Sequence, residues 1–249
     1  MKHIFAFEHP EDMKTYQDLV NRFRDKLDEY QQVLQEQYAL CDVPKGIVWP
    51  SEDLATSFFS RVPIPAFTNK DIIYMSPDLA GWRAFFLEVM EGYHTPRIKE
   101  FYANMQDIYL LAIAGHELTH HSDLFVDEFD DERENSIWFE EGMCDYLSRK
   151  YLLTESEFKS ITAVETEQVK LLKERFGDQS LDEFGIHTYQ GSITSIMYNY
   201  WRSFLAVKYL VEVKADHDVH QVFNAYHTWH HEGRKMPLTR YFELDASLF

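Results

Sequence analysis

The sequence is short of the residues that hold small secreted folds together. It has two cysteines, Cys41 and Cys144, far apart and in no metal-ligand spacing, which argues against a disulfide framework. It has nine glycines, too few for a loop-rich all-β fold. It lacks any apolar run long enough to span a bilayer, and the stretch Ile108 to Ala114 falls far short. The first ten residues lack the long apolar core of a signal peptide, so the expectation is a soluble, reduced, cytoplasmic protein. Positive charge is also scarce. Lys and Arg number 24 against 42 Asp and Glu, a net charge of -18. Such a surface repels phosphates, which excludes nucleic acid and anionic membranes as natural partners. It permits attraction of basic peptides, but solubility is the favoured reading.

What is present is a large apolar complement. Hydrophobic residues make up 45% of 249 positions, with 19 Phe and 15 Tyr, enough for a bulky core in one domain or in two lobes around a cleft. Residues 3 to 7 read as a short strand before Pro10. From Glu11 to about Leu40, apolar positions recur at three and four with no Gly or Pro inside, the pattern of one long helix. Ile47 to Trp49 and Asp71 to Ser76 read as strands, the second the clearer. Between them Pro63 and Pro65 keep Val62 to Asn69 extended and unsuited to the middle of a sheet. Thr95 and Pro96 open a helix expected to run to about Ser122. An acidic connector, Asp123 to Glu134, reads as a solvated loop and lacks the Gly a calcium-binding loop needs. Further helices are expected over 137 to 150, 156 to 175, 192 to 213 and 218 to 231. The fold class is therefore α+β and predominantly helical, a single unit over 1–249. Its α/β part covers 1–122, and its helical part covers 123–249.

Chemistry concentrates in Ala114-Gly115-His116-Glu117-Leu118-Thr119-His120-His121. On a helix, residues four apart lie one above the other, about 6 Å along the axis. His116 and His120 can therefore bring both imidazoles to one point, as two ligands of a tetrahedral metal site. Glu117 projects beside them, able to reach a water in the open position without being a ligand. Zinc suits two imidazoles and an oxygen. A third ligand is available in Trp138-Phe139-Glu140-Glu141-Gly142-Met143-Cys144-Asp145-Tyr146, where Glu141 follows His120 with twenty residues between. On a helix Glu141 and Asp145 share a face, so one carboxylate can bind metal while the other accepts from a ligand histidine. Glu140 is the competing register for the ligand. Cys144 reads as a buried small hydrophobe. The late histidines 217, 220, 227, 230 and 231 lack a third ligand at suitable spacing and read as solvated.

His-Glu-x-x-His followed by Trp-x-x-Glu-Gly-x-x-x-Tyr resembles the gluzincin group of zinc metallopeptidases, the thermolysin-like and aminopeptidase-like enzymes. The motif match covers residues 112 to 147. The resemblance implies a zincin-like fold with one zinc ion per chain. His116, His120 and Glu141 would be its ligands, Glu117 the general base, and Asp145 the support of a ligand histidine. It also implies an edge strand that holds an extended peptide, for which Asp71 to Ser76 is the candidate. A Tyr or His of the helical part would stabilise the oxyanion, from among Tyr198, Tyr200, His187 and Tyr189. Glu140 departs from the group's pattern, which often has Asn there. The expected function is hydrolysis of a peptide or protein substrate, with basic ones favoured by the net charge. The contrasting expectation is a zinc-binding regulatory protein that keeps the fold without efficient turnover.

Overall fold

A computed structural model describes residues 1–60, 64–129, 131, 135–185 and 187–245. Helices dominate it, with one small sheet near the N-terminal end of the chain. Helix α1 (Pro10–Gln37) starts with Pro at its first position, where the missing N–H costs nothing, and buries Val20, Phe23, Leu27, Tyr30 and Leu34 along one face.

The sheet holds β1 (Lys2–Ala6), β2 (Gly46–Pro50), β3 (Ala66–Thr68) and β4 (Ile72–Met75) in the order β1-β2-β4-β3. The first three neighbours run parallel, and β3 closes the sheet antiparallel, with Ala66 opposite Met75 and Thr68 opposite Ile73. This corrects one expectation. The strand within Asp71 to Ser76 is interior, and the edge is β3. Pro65 lies just before β3, and its carbonyl accepts from Ser76 N at 2.9 Å. Of the extended stretch 62 to 69, residues 62 and 63 lie outside the described residues.

Helix α2 (Leu79–Val89) was not anticipated. Its run Leu-Ala-Gly-Trp-Arg-Ala-Phe-Phe-Leu is apolar nearly all round, which hides the helical period, and Gly81 weakens the signal further. Asp78 caps it by accepting from Ala80 N. The helix expected from 95 to 122 is broken in two: α3 (Pro96–Ala103), capped by Thr95, and α4 (Ile108–Thr119). The break has a tertiary cause. Arg83 of α2 donates to the Met105 carbonyl through Nε at 3.0 Å and NH2 at 2.6 Å, and Asn104 donates from its own side chain to Glu100 O. The Met105 carbonyl that a continuous helix would use is taken by a side chain, and Tyr109 N turns to Gln106 O instead.

Helices α5 (Ile137–Leu152), α6 (Glu155–Phe176), α7 (Ile193–Tyr209), α8 (Val219–His231) and α9 (Leu238–Tyr241) complete the chain. Thr154 and Glu157 form a reciprocal cap on α6. Helix α5 is central: every residue from Trp138 to Arg149 is buried, and it packs on α4 on one side and α7 on the other. The acidic connector is only partly solvated. Asp123 and Glu128 are exposed, but Asp127 accepts from Ser136 Oγ at 2.8 Å and pairs with Arg234. Its residues 130 and 132–134 lie outside the described ones. Among the described residues no helix is long and apolar enough to cross a membrane.

Candidate metal centre

Helix α4 brings the two histidines together, and its setting is rigid. Thr119 Oγ1 donates to Gly115 O, and the same hydroxyl meets Tyr30 Oη of α1 at 2.7 Å. Just past the helix end, His121 Nε2 lies 2.8 Å from Thr68 Oγ1 of β3, which ties α4 to the edge strand. Burial holds His121 at about 4, and so neutral near pH 7. His120 follows Thr119 with helical backbone angles, so its ring stays on the same face as His116.

The three ligand candidates converge. His116 Nε2 lies 3.1 Å from His120 Nε2 and 3.1 Å from Glu141 Oε2, and His120 Nε2 lies 3.4 Å from the same oxygen. A tetrahedral zinc with bonds of about 2.0–2.1 Å separates its ligand atoms by about 3.3 Å. The triangle therefore has the size of one face of such a tetrahedron. These residues form the group that could hold a metal ion among the described residues.

Each imidazole is held from behind. His116 Nδ1 faces Asp145 Oδ1 at 3.3 Å, and His120 Nδ1 faces Glu140 Oε1 at 2.7 Å. A carboxylate at Nδ1 keeps the proton there and leaves the Nε2 lone pair for a metal. Glu140 thus sits behind a histidine, and Glu141 is the residue in the cluster. Both reach His120 because α5 packs against α4 here, Glu140 at its Nδ1 and Glu141 on the side of its Nε2.

The electrostatics match a cation site. Glu141 is held well below the ordinary carboxylate range: burial opposes ionisation, and the two histidines outweigh it. Burial likewise opposes charge on His116, but Asp145 and Glu141 prevail and raise it to about 9. A metal entering at neutral pH therefore displaces protons. Glu117 is buried and lines the same cavity without joining the cluster. Burial raises its carboxyl above the usual range, against a smaller opposite pull from His116 and His120.

Two tyrosines close the far side of Glu141. Tyr200 of α7 donates to Glu141 Oε1 at 3.2 Å, Tyr189 donates to the same oxygen at 3.3 Å, and the two hydroxyls are 2.9 Å apart. Tyr198 is elsewhere, donating to Gly177 O beyond the end of α6. His187 is exposed and does not line the cavity. Cys144 is buried, as expected, with burial pushing its thiol up to about 12. Of the late histidines, His227 is half-buried and bonds to Leu124 O at 2.7 Å rather than being fully solvated.

No family model, curated protein or solved structure matches this chain. The centre stands on its own geometry. It opens into a cavity of about 410 Å³ bounded by β3, α4 and α5, with Trp82, Phe86, Tyr109 and Met197 among its apolar walls.

The two adjacent glutamates differ in a measurable way. Glu141→Ala removes a ligand atom, whereas Glu140→Ala removes only the partner of His120 Nδ1. Chelator competition is expected to show a loss of about tenfold in zinc affinity for Glu140→Ala, the usual cost of such a partner, and a larger loss for Glu141→Ala. The reverse order would move the ligand by one residue.

Proposed function

We propose that this chain is a zinc-dependent metallohydrolase that cleaves peptide bonds, with a gluzincin-type site in a zincin-like fold. The observation that carries the reading is the triangle of His116 Nε2, His120 Nε2 and Glu141 Oε2, whose sides match a tetrahedral zinc site. Two imidazoles and one carboxylate leave a fourth position open, the arrangement of a hydrolytic rather than a purely structural zinc. A bound zinc ion supplies Lewis acidity toward water and the substrate carbonyl. Glu117 takes the proton of the attacking water and passes it to the leaving amine, and burial raises its carboxyl above the usual range. Tyr200 donates to the developing oxyanion by turning its hydroxyl from Glu141 Oε1.

The edge strand supports a peptide as substrate. Strand β3 packs on α4 beside the cluster, and its outer side can pair with an extended main chain. The cavity is lined by Glu117, Glu140, Glu141, Asp145 and Glu165 against Arg149, which with a net charge of -18 favours basic substrates over acidic ones.

Metal analysis of purified protein is expected to give about one zinc per chain, as three ligands at one centre require. Dialysis against a chelator is expected to stop cleavage of a mixed peptide library, and added zinc to restore it. A protein that binds no zinc, or that binds zinc and cuts nothing in the library, defeats the proposal.

A further inference from the structure

Resting on that metal site, we infer that Glu165 of α6, which touches none of the three metal ligands, is a positioning residue that sets the orientation of His116 through Arg149 and Asp145. The path is continuous. Glu165 Oε2 and Oε1 accept from Arg149 NH1 at 2.5 Å and NH2 at 3.0 Å, a two-pronged pairing. The same NH2 lies 2.9 Å from Asp145 Oδ1, and that one oxygen faces His116 Nδ1 at 3.3 Å. Arg149 and His116 therefore share a single carboxylate oxygen. All the members are buried, with Glu165 only 2% exposed, and the guanidinium carbon lies 4.1 Å over the Phe204 ring.

The geometry separates positioning from simple stability. Buried ion pairs are weak sources of stability, because desolvation offsets their attraction. What this pairing does achieve is to fix the guanidinium plane. With both prongs engaged by Glu165, Arg149 can offer Asp145 only one contact, at Oδ1. Without Glu165, the fork is free to turn and grip Asp145 by both oxygens. That would draw Oδ1 from His116 Nδ1 and release the ring to rotate. The link spans three helices, from α6 through α5 to α4, and all four of its members line the wall of the cavity.

The test is Glu165→Gln, read by chelator competition for Zn²⁺ and by the visible absorption of the Co²⁺-substituted protein. The expected result is zinc binding weakened by about tenfold and a changed Co²⁺ spectrum. Arg149→Lys, which can reach only one carboxylate at a time, is expected to move both readouts in the same direction. Val169→Ala, a core truncation in α6, is the control. It is expected to lower Tm and leave affinity and spectrum unchanged. If Glu165→Gln does not fold, Glu165→Asp carries the comparison, since it keeps the charge and withdraws the carboxylate by one methylene. Affinity and Co²⁺ spectrum equal to wild type, whatever the Tm, overturn the inference and leave the metal centre standing. A wild-type protein that takes up no Zn²⁺ overturns both.

Discussion

Glu117→Gln is expected to keep its zinc at full occupancy and to lose about 10²–10⁴-fold in kcat, the range attributed to general acid–base groups. Glutamine has nearly the same shape as glutamate and cannot take a proton. Glu117 is not one of the three converging residues, so its loss leaves the triangle of His116, His120 and Glu141 intact. The substitution also removes a buried carboxylate, so the folded protein is not expected to suffer. Metal content and hydrolysis rate measured on one preparation give the answer. Full zinc with undiminished hydrolysis would remove Glu117 as the base. Lost zinc would instead make Glu117 a support of the site. The same pair of measurements separates the enzyme from a zinc protein without turnover, because a protein without turnover has no rate to lose.

The parts of this site that were legible in the sequence are the parts set by helical period. His116 and His120 are four apart, and Glu141 and Asp145 are four apart, so each pair was bound to share a face once its helix formed. That the two pairs meet at one centre was implied by the resemblance of the Glu141-Gly142 stretch to the gluzincin pattern, not by helical period. What was not legible depends on neighbours far along the chain. The division of α3 from α4 is imposed by Arg83 reaching the Met105 carbonyl, and nothing between residues 95 and 122 announces it. The edge of the sheet is a matter of strand order, which the strand-forming strength of residues 72 to 75 cannot report. The function of Glu140 was hidden because adjacent helical residues diverge by about 100°. Only the packing of α5 against α4 gives both glutamates a place at His120. Tyr189 was one tyrosine among fifteen, in a loop with no periodicity to aim it. Its partner Tyr200 could at least be placed on a helix.

The second large effect is on stability, and it falls on Gly142. Gly142→Ala is expected to lower the free energy of unfolding by about 3 kcal/mol, the upper range for a core that must accept an extra carbon. In a chain of this length that is a fall of about 6–12 °C in Tm. Inside an exposed helix the same change would stabilise by about 1 kcal/mol, because Ala is the better helix former. Here a Cβ would stand 2.3 Å from the Ser203 carbonyl oxygen, 2.6 Å from its carbon and 2.7 Å from Val207 Cγ2. The first two belong to the α7 backbone and cannot turn aside as a side chain can. The helices must therefore part, and they carry the two sides of the site: Glu141 on α5 and Tyr200 on α7. The bond from Tyr200 to Glu141 is expected to lengthen with the separation, so zinc affinity should fall together with Tm. Gly177 is the internal comparison. It has φ +72° and ψ -167°, a backbone region essentially confined to glycine, and nothing within 4 Å of an added Cβ, so its Ala variant meets backbone strain alone, about 1–3 kcal/mol, with no parting of helices at the site. A Gly142→Ala protein as stable as wild type would show that α5 and α7 are not in contact at this point. The glycine beside Glu141 would then have no packing reason to be there.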